Sequence, residues 1–142
     1  MKTATPVKER LQWFQVLSSF YEIASPYIEI FTGIKCQALE NQTVETDLIE
    51  DNAFVLRQLL YLIKNLPEPA NSELSRTKTY FETALTNCIN GSEALVKYVK
   101  MDAKSAEGQV QLDILVNSVV LAREYIESIH MRLHLVPEKS DR

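Results

Sequence analysis

The chain has few of the residues that make turns. It contains only three glycines among 142 residues. A β-rich fold joins many short strands through turns, and those turns favour glycine. The shortage therefore argues against a β-rich or loop-rich protein. A chain of this length fits one domain, which would bury roughly two-thirds of the surface of the unfolded chain.

Long apolar runs and paired cysteines are also missing. No window approaches the ~18–20 apolar residues that a membrane-spanning helix requires, and the first ten residues have no apolar signal-peptide core. Cys36 and Cys88 are far apart, and both fall within helical patterns. This placement predicts reduced thiols. We therefore expect a cytoplasmic protein with no membrane partner.

A basic surplus is missing as well. The net charge is −4 and the sequence pI is about 5.2, whereas nucleic-acid-binding domains neutralise phosphates with lysine and arginine. Nucleic acid is therefore an unexpected partner. The sequence also has no glycine-rich phosphate loop, no Gly-x-Ser-x-Gly and no Cys-x-x-Cys. No cofactor is predicted.

What the chain does have is helical periodicity, which is longest over residues 109–136. Apolar residues recur there at alternating spacings of three and four, which is the seam of a helix that packs along partner helices at a shallow angle. We expect this helix to be the central rod of a bundle. Its seam comprises Leu112, Leu115, Val119, Ala122, Ile126, Ile129, Leu133 and Val136.

Three further amphipathic segments precede this helix. The first begins near Thr5-Pro6, the second runs from Thr43 or Thr46 to Leu66, and a cap at Asn71 or Ser72 begins the third. Short connections predict an all-α, left-handed, antiparallel up-down-up-down four-helix bundle. We expect residues 1–136 to form its single domain and residues 137–142 to form a flexible C-terminal tail.

The first helix has an apolar face nearly twice as wide as a bundle helix needs. Pro26 lies inside the repeat without changing its phase, which predicts a kinked helix, with a split into two helices as the alternative. Two explanations of the width stay open: burial on two sides, or a partner interface. If it is an interface, its aromatic residues are Trp13, Phe20, Tyr27 and Phe31.

Both histidines of the chain lie on one flank of the last helix, in a stripe with spacings of four, three and four. Glu127 and His130 have the Glu-x-x-His spacing of di-iron bundles, but that site needs a second such pair and no third histidine exists. A mononuclear metal site formed by Glu127, His130 and His134 is geometrically allowed. The alternative is a polar flank whose histidines lie near the helix C-terminus.

Arg123 and His130 are separated by six residues on this flank. The Arg-x6-His spacing resembles the active-site spacing of the HEPN family, which includes metal-independent ribonucleases. The resemblance implies a helical bundle, an RNA substrate and a composite site across a homodimer. In that chemistry histidine would act as a general acid or base, and arginine would stabilise the phosphorane.

The sequence predicts a non-catalytic helical-bundle protein that mediates protein–protein interaction or assembly through its aromatic-rich first helix. Its expected partner is a second copy of the chain or another protein. The alternatives are the ribonuclease that uses Arg123 and His130, and a bundle that binds a small molecule or a metal.

Overall fold

Four helices make up the described part of the chain. The computed structural model describes residues 7–39, 46–101 and 105–140, with the side chains of 9–33, 46–101 and 105–133. These residues form no strand, which confirms the predicted all-α four-helix bundle. None of the described helices has the length and apolarity needed to cross a membrane. The helices are α1 (Val7–Leu39), α2 (Thr46–Lys64), α3 (Ser72–Val99) and α4 (Ala106–Ser140).

The beginnings of α3 and α4 are set by side-chain caps. The first N–H groups of a helix lack partners within it, so a preceding side-chain oxygen stabilises them. Asn71 Oδ1 accepts a hydrogen bond from the Leu74 N–H at 3.0 Å, which confirms the predicted cap. Ser105 Oγ accepts from the Gly108 N–H at 3.0 Å. Because of this cap, α4 begins three residues earlier than the apolar spacing predicted.

Helix α1 continues through Pro26 as one helix, so the first segment is not split in two. The kink at this proline stays a prediction. Just beyond it, Asn52 Nδ2 of α2 donates to the Tyr27 carbonyl oxygen at 3.0 Å. Within the described chain, the buried Asn52 Oδ1 and Ser25 Oγ have no hydrogen-bond partner. The contact between α1 and α2 therefore contains a polar position beside the proline.

The centre of the bundle is α3, and the prediction that α4 is the central rod is wrong. Helix α3 packs against the other three, whereas α4 packs against α1 and α3 and makes no described contact with α2. The predicted seam of α4 is nevertheless confirmed wherever its side chains are described. Leu112 and Ile126 pack partly buried against the core, and the fully buried members are Leu115, Val119, Ala122, Ile129 and Leu133.

Gly91 lets three helices approach one another closely. A Cβ placed on it would lie 3.0 Å from the Ser118 Cβ of α4 and 3.1 Å from the Phe31 Cε1 of α1. Both distances are shorter than ordinary van der Waals contact. A residue without a side chain therefore fits where these helices meet.

Several predictions fall on residues that the structure does not describe. The predicted helix start near Thr5-Pro6 and the alternative start of the second helix at Thr43 lie outside the described residues. Helix α4 continues to Ser140, whereas Asp141 and Arg142 are not described. The domain boundary at residue 136 and the flexible tail stay predictions.

Candidate functional site

The polar flank of α4 is exposed where it is described. Arg123, Glu127 and His130 all have exposed side chains, while that of His134 lies outside the described residues. Arg123 and His130 are seven residues apart, which places them two turns and ~10 Å apart along the helix axis. One chain therefore presents both side chains on one flank. The composite site that the family resemblance implies would still require a second chain.

His130 is held against α1 by a tyrosine. The Tyr21 hydroxyl lies 3.2 Å from His130 Nδ1, and the two ring centroids are 5.7 Å apart. Which atom donates depends on the histidine tautomer. Tyr21 also packs edge-on against Phe81 of α3, with centroids 6.4 Å apart. The contact gives His130 a structural role in joining α4 to α1, and the sequence offered no signal for this pairing across 109 residues.

The metal prediction is not tested by the described part of the chain. Within it, no group of three histidine, cysteine, aspartate or glutamate residues is placed to hold a metal ion. The predicted set of Glu127, His130 and His134 includes one side chain that is not described. It therefore stays a prediction.

The aromatic residues of the predicted interface face the chain's own core. Phe20 is only 8% exposed and Phe31 only 1%, so neither is available to a partner. The Phe20 ring packs edge-on against Phe81 at a centroid distance of 5.0 Å. Trp13 and Tyr27 are partly buried against the same core. Phe20 and Phe31 are therefore corrected from interface residues to core residues, because α3 already covers this side of α1.

The outer edge of the wide apolar face of α1 is aliphatic and exposed. Val16, Ile23 and Ile30 are 43%, 54% and 40% exposed and are seven residues apart. We call these three residues the α1 stripe. The wide face thus divides into an aromatic part that fills the core and an aliphatic part that the described residues leave exposed.

Helix α2 has a matching stripe that the sequence prediction missed. Leu48 and Leu62 are 49% and 56% exposed, and Val55, midway between them, is partly buried. We call these three residues the α2 stripe. Their seven-residue spacing is visible in the sequence, but the neighbouring repeat that contains the buried Leu56 and Ile63 is the stronger signal. The α2 stripe lies beside that repeat.

Helical geometry places the two stripes on neighbouring sides of α1 and α2. On α1, Tyr21 marks the side toward α4 because it contacts His130. At about 100° per residue, the α1 stripe lies on the other side of the buried face, toward α2. On α2, Arg57 marks the side toward α3 because it pairs with Glu93 at 3.3 Å. The α2 stripe lies on the other side, toward α1. Together the stripes form what we call the α1–α2 face.

The border of the α1–α2 face is acidic. Along its α1 edge the exposed charged residues are Glu22 and Glu29, and along its α2 edge they are Asp47 and Asp51. By the same helical geometry, the exposed basic residues described on α2 lie on the side toward α3. Within the described residues, the face is therefore an apolar surface with carboxylates on both edges.

A depression of about 210 Å³ lies between α2 and α3. The Arg57–Glu93 ion pair lies across it, with partners 48% and 53% exposed. The buried Ser92 in its lining already donates its hydroxyl to the Cys88 carbonyl oxygen at 2.8 Å. Three polar side chains of the depression, those of Arg57, Glu93 and Ser92, therefore already have partners. Its lining residues are Glu50, Ala53, Arg57, Ser92, Glu93, Val96 and Lys97.

No family model matches the chain, and no curated protein or solved structure matches it. The assignment of functional residues rests on the geometry described above.

Proposed function

We propose that this chain is a non-catalytic protein-interaction module and that the α1–α2 face is its binding surface. The observation that supports this most directly is the 54% exposure of Ile23 at the middle of α1. Val16 and Ile30 continue the apolar stripe in both directions. An extended apolar helix face that its own fold leaves uncovered is typical of surfaces that bind another helix.

Helix directions support a continuous surface. Phe20 of α1 meets Phe81 of α3, and Phe31 of α1 meets Gly91 of α3. Residue numbers thus rise together along both helices, which supports a parallel α1 and α3. The contact between Tyr27 and Asn52 means that these two residues lie at the same height along the bundle axis. If α1 and α2 were parallel, the last residue of α1 and the first residue of α2 would then lie ~27 Å apart along that axis. Seven peptide steps span at most ~25 Å, which favours an antiparallel pair and the up-down-up-down order.

In an antiparallel pair the two stripes lie in register. With Asn52 level with Tyr27, Ile30 lies beside Leu48 and Ile23 lies beside Val55. One more seven-residue step places Val16 beside Leu62. Each step is ~10.5 Å in both helices, so the stripes run together over ~21 Å. Such a length suits a bound helix of about four turns.

Two alternatives from other classes stay open as proposals. The first is RNA cleavage by Arg123 and His130, and the second is metal binding by Glu127, His130 and His134. The contact between His130 and Tyr21 gives this histidine a packing role and thereby favours the interaction module. A cytoplasmic location agrees with the free, buried thiol of Cys88.

A stripe variant tests the proposal against a matched control. The test variant changes Val16, Ile23 and Ile30 to serine. The control changes three exposed apolar residues of α4, Val110, Ile114 and Leu121, to serine. Circular dichroism and urea unfolding show first that both variants are folded.

The readouts are molar mass by light scattering and the proteins that co-purify with the tagged chain from cells. We expect an association of the parent chain that is lost in the α1 variant and kept in the α4 control. Masses and co-purifying proteins that are the same for the parent and the α1 variant would contradict the proposal.

A further inference from the structure

The acidic border identifies the partner class of the α1–α2 face. On the basis of the proposed function, we infer that the face binds an amphipathic helix of another protein, with an apolar stripe between basic residues. Three features of the face support this partner: its apolar floor, which the α1 stripe and the α2 stripe form, the charge of its border, and its size.

The apolar floor suits a helix. Both stripes repeat every seven residues, which matches a partner whose apolar residues recur at spacings of three and four. On its outer side, each member of the α1 stripe is followed three positions later by a small or compact residue: Ser19, Pro26 and Gly33. A Cβ placed on Gly33 would meet nothing within 4 Å. A helix can therefore approach α1 closely along this edge.

The charge selects the partner. Glu22 and Glu29 on one edge, with Asp47 and Asp51 on the other, place carboxylates on both sides of the apolar floor. Among the basic residues described on these helices, Arg57 is already paired with Glu93 at 3.3 Å on the α3 side. Complementary charge across an interface raises the association rate and selects the partner. Lysine or arginine at the edges of the bound helix supplies that complement.

The same charge disfavours other occupants. An anionic membrane surface and a nucleic acid are polyanions, which the four carboxylates repel. A second copy would bring four further carboxylates to the same border. Like charges placed together cost free energy, and the described border has no basic residue to offset them.

The size of the face indicates a transient complex. Helix α2 has 19 residues, so it is ~28 Å long at 1.5 Å per residue. Two helices packed ~10 Å apart make a face ~20 Å wide. The face therefore covers ~560 Å² per partner, or ~1,100 Å² in total, which lies among the smaller interfaces. We expect micromolar affinity.

Two synthetic peptides test the inference on the full chain. Each is a fluorescein-labelled 21-residue helix with leucine at the a and d positions of its heptads. One has lysine at e and g, and the other has glutamate there. Fluorescence anisotropy should show micromolar binding of the lysine peptide and at least about tenfold weaker binding of the glutamate peptide. The affinity for the lysine peptide should fall as salt rises.

Variants of the chain locate the binding surface. Ile23→Ser should weaken binding of the lysine peptide by about tenfold or more, since it removes the centre of the apolar floor. The pair Glu22→Gln and Asp51→Asn should weaken binding and reduce its salt dependence. Glu124→Gln and Leu121→Ser change exposed residues of α4 and serve as controls. They should leave the affinity unchanged.

Equal binding of both peptides, or lysine-peptide binding that Ile23→Ser leaves intact, would overturn the inference. A dimer that forms on light scattering and is lost in Ile23→Ser would assign the face to a second copy. That result overturns the inferred partner and leaves the proposed function standing. If the α1-stripe variant also changes neither mass nor co-purifying proteins, the proposed function fails with it.

Discussion

The ring of Phe31 fills the space that a side chain at position 91 would need. A Cβ on Gly91 would lie 3.1 Å from the ring's Cε1 and closer still to its Cζ. Phe31 is only 1% exposed, so its ring has no open space to enter. The Ser118 Cβ of α4 would lie 3.0 Å from the same added Cβ. The glycine therefore sets how closely α1, α3 and α4 approach one another.

We expect Gly91→Ala to destabilise the chain. Within a helix this change normally stabilises by ~1 kcal/mol, because alanine has the higher helix propensity. Here the added methyl overpacks the core, which costs ~1–3 kcal/mol. Urea unfolding should therefore show a net loss of free energy of unfolding, of ~1 kcal/mol.

A double-variant cycle supplies the control for this prediction. Phe31→Leu removes the ring atoms that the new methyl would meet. In that background Gly91→Ala should cost clearly less, because only the tight contact with the Ser118 Cβ remains. An equal effect of Gly91→Ala in both backgrounds would show that the contact with Phe31 does not restrict position 91.

The helices and the α4 seam were predictable because a packed helix repeats its apolar residues at its own period. The seam from Leu115 to Leu133 follows that period without a break, and the structure buries it. Asn71 was predictable as a cap because a short polar side chain before a helix stabilises its first N–H groups. These features depend on neighbours within a few residues along the chain.

Features that depend on which helices are neighbours were not predictable in this way. The wide apolar face of α1 was visible, but the pattern could not show that Phe20 would face α3 and Ile23 would face outward. Nor could it show that Tyr21 meets His130. The central position of α3 was missed because Gly91 and Ser92 weaken its stripe, although these small residues allow the close packing. Relative helix placement decides all of these points.

Lys78 allows a prediction about buried charge. Its side chain is 5% exposed, and its Nζ lies 2.8 Å from Glu82 and 3.7 Å from Glu68. We expect Glu82→Ala to lower the free energy of unfolding by ~1–3 kcal/mol, because it leaves a buried ammonium group poorly paired. Lys78→Met should cost less, since the Glu82 and Glu68 side chains are 26% and 61% exposed and reach water.

Urea unfolding of the two variants checks this asymmetry. Glu93→Ala is the control, because it breaks the exposed pair with Arg57 and should cost at most ~1 kcal/mol. A larger loss for Lys78→Met than for Glu82→Ala would show that the lysine itself stabilises the fold and that the unpaired ammonium group is not the main cost.

Cys88 gives a prediction about pH. Burial raises the pKa of its thiol from 9.0 to about 12, because the apolar surroundings disfavour the thiolate. A raised folded-state pKa contributes stability below pH 9 that is lost as the pH rises toward 12. At about pH 10.5, thiolate formation in the unfolded chain should have removed ~2 kcal/mol.

The measurement is the free energy of unfolding of the parent and of Cys88→Ala between about pH 8 and about pH 10.5. Titrations of the other groups are shared by both proteins and cancel in the difference. The stability gap between the two should therefore narrow as the pH rises. A gap that stays constant over this range would show that the thiol titrates normally in the folded chain.

Variants of His130 distinguish a structural role of the α4 flank from a catalytic one. The Nδ1 of His130 contacts the Tyr21 hydroxyl at an exposed position. His130→Gln and Tyr21→Phe should therefore each lower the free energy of unfolding by ~1 kcal/mol or less.

RNA cleavage tests the catalytic alternative. If the chain is a non-catalytic module, the parent protein should leave a labelled single-stranded RNA intact in the presence of EDTA. The contrary result would be RNA cleavage by the parent protein that both Arg123→Ala and His130→Ala abolish. The folded Glu124→Gln control would retain this cleavage. That outcome would replace the interaction module with a metal-independent ribonuclease, because general acid–base chemistry by histidine and charge stabilisation by arginine would then be required together.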